Sequence, residues 1–355
     1  MSTHVVPVIR ITEVRPHPNA DRLELIPVGG WVCSVRKGDF KVGDLAVYIE
    51  PDFMVPVDRN EFAFLKDPSK SDQTHVRIRG KKLRGVMSFG LLIPVPLIND
   101  PTCECCSLEF SLGDNLLEVL GIYRWEPPVV SSARIGDFDA LSLSELPEAL
   151  RSGLTHKFDL ENFNNYPDLI DLSSEVVITE KIHGANARYM WWDGVLYVGS
   201  RSRWLKPATG DKKSAWQSVS ENTPNIGKWC EANPGVVLYG EIYGNVQDFK
   251  YGIPNGAKFA GFAAFDLLKK IWRDTIPLFA SLDNGGVERV PVLSIGQVSR
   301  KVVDVMLELD SSLPTAPNGH MREGVVITPY NERFDPSVGR VSLKLISNRY
   351  WERKL

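Results

Sequence analysis

The sequence contains no apolar run close to the roughly 20 residues that a membrane-spanning helix needs. Its N-terminus, MSTHVVPVIRITEVRP, has neither the charged region nor the apolar region of a signal peptide. It also shows no internal repeat and no low-complexity tract. These absences predict a cytoplasmic protein with no membrane partner, and nothing in the sequence points to a protein partner.

Cysteine is scarce, because five residues in a chain of 355 do not make a disulfide framework. Three of the five lie together at Cys103, Cys105 and Cys106, which suggests a zinc site. A structural zinc site needs a second pair of Cys or His residues at a suitable distance, and none is nearby. A loop with free thiols is therefore the favoured interpretation of these cysteines.

Neither sign of charge is in excess, since 41 Lys and Arg residues oppose 44 Asp and Glu residues for a net charge of −3. This balance argues against a protein that coats nucleic acid non-specifically, because such binding depends mainly on neutralised phosphates. It still allows a local basic groove. The sequence also lacks the GxxxxGK(S/T) motif and a glycine-rich loop before its lysine-bearing strand, which excludes P-loop enzymes and kinases.

The chain is long enough for two domains of about 100–200 residues each. The first is predicted at 1–120, where short strands alternate with turn residues such as Pro-Asn and Gly-Gly. The predicted strands are Val5–Val14, Leu23–Val28, Trp31–Val35, Leu45–Ile49 and Val86–Val95. Short strands without a long helical pattern indicate an OB-like β-barrel, an architecture that often binds oligonucleotides.

Residues 121–154 are predicted to form a connector with one short helix at Leu141–Leu150, and residues 155–355 a second domain. Most strands of the second domain alternate apolar with polar residues, as half-buried strands do. They are predicted at Val176–Lys181, Ala187–Trp192, Leu196–Ser200, Val236–Tyr243, Phe259–Leu268, Gly324–Thr328 and Arg340–Ile346. With a helical region at Ser214–Asn233, the fold class is α+β, with mainly antiparallel sheets and flanking helices in the second domain.

The sharpest local feature is the segment 179–186, TEKIHGAN. Lys181 leaves an apolar strand and Gly184 follows three residues later, as expected of a nucleophile on a turn above a sheet. An amine attacks only when unprotonated, so the pattern predicts that desolvation or neighbouring cations lower the pKa of Lys181. Taken alone, the motif is also compatible with a surface lysine before a turn.

An ordered set of strands follows, each with a charged or aromatic residue. They lie at 199–203 (GSRSR), 238–244 (LYGEIYG), 262–266 (FAAFD), 323–327 (EGVVI) and 343–346 (LKLI). With the lysine segment, they resemble the six collinear motifs of the covalent nucleotidyltransferase superfamily, which includes RNA ligases, DNA ligases and mRNA capping enzymes. The KIHGAN segment is most similar to the RNA ligase 2 type, whose first motif is usually KxHGxN. The resemblance covers about 158–350.

The resemblance implies a role for each motif. The catalytic residues would be Lys181, which carries AMP, His183 and Lys344. The nucleotide-binding residues would be Glu180, Asn186, Arg201, Glu241, Phe265 and Lys344, with Phe265 stacked on adenine and Phe262 as its alternative. The metal would be held by Glu241 and Glu323. The last motif often has two lysines, but here only Lys344 is available, with Arg340 and Arg349 near enough in sequence to substitute.

The N-terminal domain has a resemblance of its own. The segment 17–23 (HPNADRL) is similar to the opening of OB-type tRNA-binding domains of some aminoacyl-tRNA synthetases, and 42–49 fits a later strand of that fold. The densest basic stretch has five cations within residues 77–84, namely Arg77, Arg79, Lys81, Lys82 and Arg84. It is either a surface that follows RNA phosphates or only a solvated face.

Together these resemblances imply an ATP-dependent RNA ligase that joins RNA ends with Mg²⁺ or Mn²⁺, and RNA repair is the expected role. Lys181 would take AMP from ATP and pass it to a 5′-phosphate, and a 3′-hydroxyl would then displace it. Three rivals stay open. They are a DNA ligase, in which His and Asn near Lys181 would be unexpected, a capping guanylyltransferase, whose OB module follows the catalytic domain, and a non-catalytic RNA-binding protein with a degenerate nucleotidyltransferase domain.

Overall fold

The structure is a computed structural model that describes residues 5–70, 72–98, 109–125, 139–151, 158–208 and 213–353. The chain divides into two compact units. The larger unit comprises Val129–Phe163 and Asp168–Tyr350, and the smaller comprises Thr3–Pro128, Asn164–Pro167 and Trp351–Leu355. Cys103, Cys105 and Cys106 lie outside the described residues. No helix in the described part of the chain is long and apolar enough to cross a bilayer.

The smaller unit consists of short antiparallel strands. They are β1 (Val8–Arg10), β2 (Arg15–Pro16), β3 (Leu23–Val28), β4 (Trp31–Arg36), β5 (Leu45–Ile49), β6 (Phe53–Pro56), β7 (His75–Arg77), β8 (Lys81–Leu83), β9 (Val86–Ser88), β10 (Leu91–Pro94) and β11 (Tyr123–Arg124). They pair in the orders β1-β5-β10, β2-β3-β4, β11-β6-β7 and β8-β9. Single 3-10 turns lie at Ala63–Leu65 and Val95–Leu97.

Strand β5 is buried on both of its faces. Val47 and Ile49 pack into one apolar cluster, while Ala46 and Tyr48 pack into another. This division follows from strand geometry, because successive side chains point to opposite faces. The two clusters explain why β5 reads as a continuous apolar run in the sequence and lies between β1 and β10.

No sheet of the described residues closes into the barrel that the sequence predicts. The predicted strand Val86–Val95 divides at Gly90, so that β9 pairs with β8 while β10 pairs with β5. Gly90 has a φ of 88°, and a Cβ there would lie 2.6 Å from the Tyr48 ring. Only glycine fits this position, and the turn it makes breaks the continuity of pairing.

The larger unit contains twelve strands among the described residues, more than the seven predicted for the second domain. They are β12 (Glu161–Asn162), β13 (Val176–Lys181), β14 (Ala185–Trp192), β15 (Val195–Ser200), β16 (Val236–Gly244), β17 (Ala257–Asp266), β18 (Ile271–Trp272), β19 (Val292–Gly296), β20 (Gly324–Pro329), β21 (Phe334–Asp335), β22 (Gly339–Arg340) and β23 (Leu343–Ile346). Six of the seven predicted strands lie within two residues of the observed bounds, and the seventh, Arg340–Ile346, divides into β22 and β23.

These strands form two five-stranded sheets and one hairpin. The first sheet has the order β12-β23-β20-β13-β19 and the second has the order β15-β14-β16-β17-β18, while β21 and β22 form the hairpin. Pairing is antiparallel except between β12 and β23. The chain passes from the first sheet to the second within the short turn that joins β13 to β14, which contains the residues after Lys181.

Helices pack beside these sheets. They are α1 (Glu148–Arg151), α2 (Ala215–Asn222), α3 (Pro224–Ala232), α4 (Thr275–Asn284), α5 (Arg300–Leu307) and α6 (Asn348–Arg353), with 3-10 turns at Leu143–Glu145 and Phe163–Asn165. One apolar cluster joins the second sheet to α2, α3 and α4 through Trp216, Trp229 and Leu282. This packing fixes the strands that carry several predicted site residues.

The single helix predicted at Leu141–Leu150 is wrong. The structure has a 3-10 turn at Leu143–Glu145 and then the short helix α1, with Leu146 and Pro147 between them. Leu146 is extended, with φ −82° and ψ 144°. A proline disfavours the helical conformation of the residue before it, which explains the interruption.

Candidate active site

A cavity of about 510 Å³ is lined by residues from both five-stranded sheets of the larger unit. Lys181 reaches it from the end of β13, and Glu241 from the middle of β16. Glu323 immediately precedes β20, whose first residue, Gly324, is the strand partner of Lys181. Sheet pairing therefore brings together three residues that lie far apart in the sequence.

Lys181 forms an ion pair with Glu323, with Nζ 2.9 Å from Oε1. Burial lowers the pKa of Lys181, but the charges of Glu323 and Glu241 raise it by more, so the net pKa lies above its usual value. The prediction of a lowered lysine pKa is therefore wrong for the ligand-free protein. Burial does lower the pKa of Lys181, as that prediction assumed, but the sequence did not reveal that two carboxylates flank the amine.

The two carboxylates have pKa values displaced in opposite directions. Burial raises the pKa of Glu323, but Lys181 and His183 together bring it down to about 2. Burial raises the pKa of Glu241 to about 8, because repulsion from Glu323 adds to it and the attraction of Lys181 and the Gly184 amide does not cancel it. Near neutral pH, Glu323 is charged and Glu241 holds a proton.

His183 lies beside Glu323 and has partners on both ring nitrogens. Its Nε2 is 2.8 Å from Oδ1 of Asp248, and its Nδ1 is 3.1 Å from the Tyr350 hydroxyl. The Oε2 atom of Glu323 is 3.6 Å from Nδ1. Because that oxygen is buried and has no hydrogen-bond partner among the described residues, it can accept a further ligand.

Asn186 and Arg201 both line the cavity, as predicted for nucleotide-binding residues. The backbone carbonyl of Asn186 accepts a hydrogen bond from Trp216 Nε1 at 2.8 Å. Its side-chain Oδ1 is buried and lacks a partner in the described part of the chain. Arg201 is exposed and paired with Asp159, which also lines the cavity.

Gly184 lines the cavity too, and steric fit decides its identity. A Cβ at this position would lie 2.1 Å from the Ile242 carbonyl oxygen and 3.0 Å from Cγ of Glu241. The glycine of the lysine motif is therefore required for close packing of the turn against β16.

The carboxylate of Glu180 faces away from the cavity. Strand alternation points it opposite to Lys181, where it accepts hydrogen bonds from Ser311 Oγ at 2.5 Å and from the Ser312 amide at 2.6 Å. Arg322 Nε lies 3.6 Å away, and the Glu180 side chain is 0% exposed. Glu180 is nevertheless among the residues that line the cavity, so its role in nucleotide binding stays a prediction, while its carboxylate holds two segments of the larger unit together.

Phe262 lines the cavity and Phe265 does not. Register shifts between β16 and β17 pair Tyr239 with Ala263 and Gly240 with Gly261, which leaves Phe262 as the extra residue of a bulge. Phe265 is buried against Trp272 at a ring distance of 5.1 Å. A bulge redirects side chains, so the structure supports the alternative, Phe262, over Phe265 as the ring that meets a nucleobase.

Lys344 and Arg340 line the cavity, whereas Arg349 is not among its lining residues. Arg349 instead donates to the Glu308 carbonyl and pairs with Asp310 at 2.9 Å. Arg340 pairs with Glu332, and its guanidinium lies 4.8 Å from the Trp272 ring centroid. Of the two arginines that could substitute for the missing second lysine, only Arg340 is therefore among the residues that line the cavity.

The sequence did not predict several residues that line the cavity, because their residue types do not by themselves point to a functional site. Ser342, one of the two positions (with Ile346) where the second lysine could stand, lines the cavity, and it is buried and hydrogen-bonded to Thr328 at 2.9 Å. Phe158, Trp216, Gln247 and Thr275 also line the cavity. None belongs to a recognisable motif, and only the tertiary structure brings them to the site.

Glu241 and Glu323 fit a divalent cation. Carboxylate oxygens suit Mg²⁺ and Mn²⁺, and Glu323 Oε2 is a buried oxygen without a partner among the described residues. The described residues contain no group of three or more acidic, His or Cys side chains that could hold a metal alone. Two carboxylates with a substrate phosphate and water is a usual ligand set for Mg²⁺, so this donor set is adequate.

The predicted RNA-binding cations lie in the smaller unit and divide into two groups. Arg77 is half-buried, pairs with Asp52 at 2.5 Å and has its guanidinium 3.4 Å from the Trp125 ring centroid. The other four are exposed, and Lys82 pairs with Glu352 at 2.8 Å. They lie on or beside the β8–β9 hairpin at Arg79, Lys81, Lys82 and Arg84.

Comparisons with known proteins bear on both units. An OB-fold domain model matches residues 5–95, and the RNA ligase family model matches residues 174–346. No curated protein matches the chain in sequence. The RNA ligase match spans the lysine motif and the strands of the cavity.

Solved structures of a Naegleria gruberi RNA ligase are similar to the chain along almost all its length. The ligase with PPi is 26% identical, with 98% of each chain covered and a TM-score of 0.76. A lysine-to-alanine mutant with ATP and Mn is 25% identical, with 99% of each chain covered and a TM-score of 0.77. A lysine-to-methionine mutant with AMP and Mn is 25% identical, with 98% of each covered and a TM-score of 0.78.

The two family matches occur in the order of the two domains, and the likeness to an RNA ligase extends through both. Residues 174–346 are therefore an RNA ligase domain, an OB-fold domain precedes them, and the chain is similar to an RNA ligase along almost all its length.

Proposed function

We propose that this RNA ligase uses ATP to adenylate Lys181 and then joins the 5′-phosphate and 3′-hydroxyl ends of broken RNA. The observation that carries the proposal is the position of Lys181. This residue is paired with Glu323 and reaches a cavity of nucleotide size that Glu241 also lines. A lysine amine beside carboxylates stays protonated, as part of an ion pair, until a bound cation or phosphate changes the local charge.

Three contacts would hold the nucleotide. Phe262 offers a ring to the adenine, while the buried Oδ1 of Asn186 offers an unused acceptor. Lys344 supplies positive charge for the α-phosphate from the opposite sheet. We assign these roles because aromatic faces bind bases and ammonium groups bind phosphate oxygens.

The first chemical step forms a bond between Nζ of Lys181 and the α-phosphorus of ATP, and it breaks the bond to pyrophosphate. Lys181 must first lose a proton, which its two carboxylates oppose in the ligand-free protein. Mg²⁺ or Mn²⁺ bound by Glu241 and Glu323 would offset the charge of these carboxylates and of the phosphates. Neutralising the carboxylates removes the cause of the raised lysine pKa.

The two remaining steps use RNA ends. The phosphoramidate bond to Lys181 breaks when the 5′-phosphate of RNA takes AMP, and Lys181 regains its amine. A 3′-hydroxyl then attacks the activated phosphate and AMP leaves. We assign contact with the reacting end to His183, which lies beside Glu323, and to Arg201, which is exposed at the cavity.

Radiolabelling tests the role of Lys181. Wild-type protein with α-³²P-ATP and Mn²⁺ should retain label after denaturation, and acid should release it. Lys181→Ala should carry no label. Lys181→Arg is the matched control, because it keeps a cation beside Glu323 but cannot deprotonate at working pH, and it should also stay unlabelled.

The same assay separates the alternatives. Label from α-³²P-GTP instead of ATP would contradict adenine use, and residual label on Lys181→Ala would refute the nucleophile. Addition of 5′-phosphorylated RNA should remove the labelled AMP from the protein. When an RNA 3′-hydroxyl end is also present, the two ends should be joined. If the wild-type protein binds RNA but never takes label, the non-catalytic alternative replaces this proposal.

A further inference from the structure

The turn that follows Lys181 lies outside both sheets. Strand β13 ends at Lys181 and β14 begins at Ala185, so Ile182, His183 and Gly184 have no strand partners. Buried backbone groups need hydrogen-bond partners even where pairing stops. The source of those partners determines how firmly the turn, and therefore Lys181, is held.

Side chains of a single loop supply two of these partners. This loop, residues 245–251, is the first part of the segment, residues 245–256, that joins β16 to β17. The His183 amide donates to the Tyr251 hydroxyl at 2.8 Å, and Gln247 Nε2 donates to the Gly184 carbonyl at 2.9 Å. Asp248 Oδ1 is 2.8 Å from the His183 ring. The 245–251 loop therefore contacts the turn at three points.

The 245–251 loop is itself held in an uncommon conformation. Tyr251 has a φ of +46°, in the left-handed region that non-glycine residues rarely adopt. Its ring is fully buried and stacks on His320 at 4.6 Å with an interplanar angle of 28°. Strained residues persist where surrounding packing imposes them, and they concentrate at functional sites.

We propose that Gln247 and Tyr251 are positioning residues that aim Lys181 at the α-phosphate by fixing the turn behind it. The inference rests on the proposed function for Lys181. Neither residue needs to touch a reacting atom, because each acts through a backbone group of the turn. A displacement of about 1 Å at a reacting atom can lower a rate about 100-fold, so small relaxation of the turn is sufficient.

Two near-isosteric variants remove the contacts one at a time. Tyr251→Phe deletes the acceptor of the His183 amide, and Gln247→Met deletes the donor to the Gly184 carbonyl. Tyr243→Phe is the matched control. Tyr243 is a buried tyrosine whose ring packs against that of Tyr251 at 5.8 Å, and its hydroxyl is hydrogen-bonded to Glu288 at 2.6 Å. The variant removes that hydroxyl and leaves the hydrogen bonds to the turn in place.

Amide hydrogen exchange is the first readout, and it does not depend on activity. Exchange at His183 should be faster in Tyr251→Phe than in wild type, and unchanged in Tyr243→Phe. Equal protection of His183 in all three proteins would overturn the inference. If the wild-type protein forms no lysyl-AMP, the proposed function fails while this measurement still decides whether the loop holds the turn.

A comparison of two rates is the second readout. Lysyl-AMP formation at saturating ATP should fall about ten- to 100-fold in Tyr251→Phe and Gln247→Met. Sealing of RNA that is already 5′-adenylated should stay within about two-fold of wild type, since it needs no attack by Lys181. Equal loss of both rates, as a general loss of folding would give, would overturn the positioning role.

Discussion

At the residue scale, the charge state of the site depends on how burial and neighbouring charges set the pKa values of Lys181, Glu241 and Glu323. Lys181 and Glu323 stay charged as a pair, while Glu241 is left in a buried position next to a like charge. Placing titratable groups in unequal environments separates their pKa values. This arrangement makes the stability of the protein sensitive to pH near neutrality.

Replacing Glu241 should reveal that sensitivity. Between its ordinary pKa of 4.5 and its folded value of about 8, folded Glu241 holds a proton that the unfolded chain has released. The native state then binds more protons than the unfolded state, so the free energy of unfolding falls as pH rises through this window.

We therefore expect Glu241→Gln to flatten the pH dependence by up to the order of 1 kcal/mol per pH unit. Urea unfolding from pH 5 to pH 8, without metal or nucleotide, measures it. Glu323 acts in the opposite direction, because its pKa of about 2 makes its contribution fade only as pH falls below 4.5. Parallel curves for wild type and Glu241→Gln would contradict the assignment.

The two aromatic residues of β17 should separate binding from stability. Phe262→Leu removes a ring that lines the cavity and should weaken ATP binding by about 1–3 kcal/mol, or roughly five- to 150-fold in Kd. Phe265→Leu should lower the unfolding temperature and leave ATP affinity unchanged, because Phe265 is a core residue beside Trp272.

Calorimetric titration of ATP into both variants, in a Lys181→Arg background that prevents turnover, gives the comparison. The opposite pattern would restore Phe265 as the stacking residue. The result depends on the bulge at Phe262, which the sequence pattern of the strand does not reveal.

At the element scale, the β8–β9 hairpin presents exposed cations on a short, solvated ribbon. Arg84 and Gly85 form its turn, with φ values of +46° and +90°. Arg77, in contrast, belongs to the packing of β7 through Asp52 and Trp125. We propose that the exposed cations of the hairpin region, and not Arg77, contact RNA phosphates.

Removing two of these charges should weaken RNA binding and its dependence on salt. For Arg79→Ser with Lys81→Ser, the slope of log affinity against log salt should decrease by roughly 1 to 2 in magnitude, since each phosphate contact contributes about 0.7 for a single strand. The double variant Lys66→Ser with Lys70→Ser removes two exposed charges elsewhere in the same unit. Fluorescence anisotropy with labelled RNA across a salt series would show equal slopes for both if the hairpin makes no contact.

Elements whose length follows from local pattern were predictable. The strands Val176–Lys181, Leu23–Val28 and Leu45–Ile49 have the predicted bounds, because alternation or continuous burial dominates each of them. The connector helix failed at Pro147, and Val86–Val95 failed at Gly90. In each failure a single residue with special backbone geometry overrode the pattern around it.

At the scale of the whole molecule, the units are not single stretches of sequence. The smaller unit includes Asn164–Pro167, which interrupts the larger unit. Within the smaller unit, the Gly30 amide donates to the Asn164 carbonyl at 2.8 Å, and Trp31 Nε1 donates to Asn165 at 2.5 Å. No local sequence pattern indicates contacts of this kind. The sequence therefore suggested one boundary between the domains, whereas the chain passes between the two units several times.

The sequence by itself determined the resemblance to RNA ligases, the lysine motif and the order of the motifs, because these depend on residue types at fixed short spacings. Tertiary structure alone decided the charge state of Lys181, the position of Phe262 rather than Phe265 at the cavity and the burial of the Glu180 carboxylate. Each of these depends on which side chains sheet pairing, a bulge or strand alternation brings within a few ångströms. Coulombic attraction and packing act through such distances in space, and no spacing along the chain specifies them.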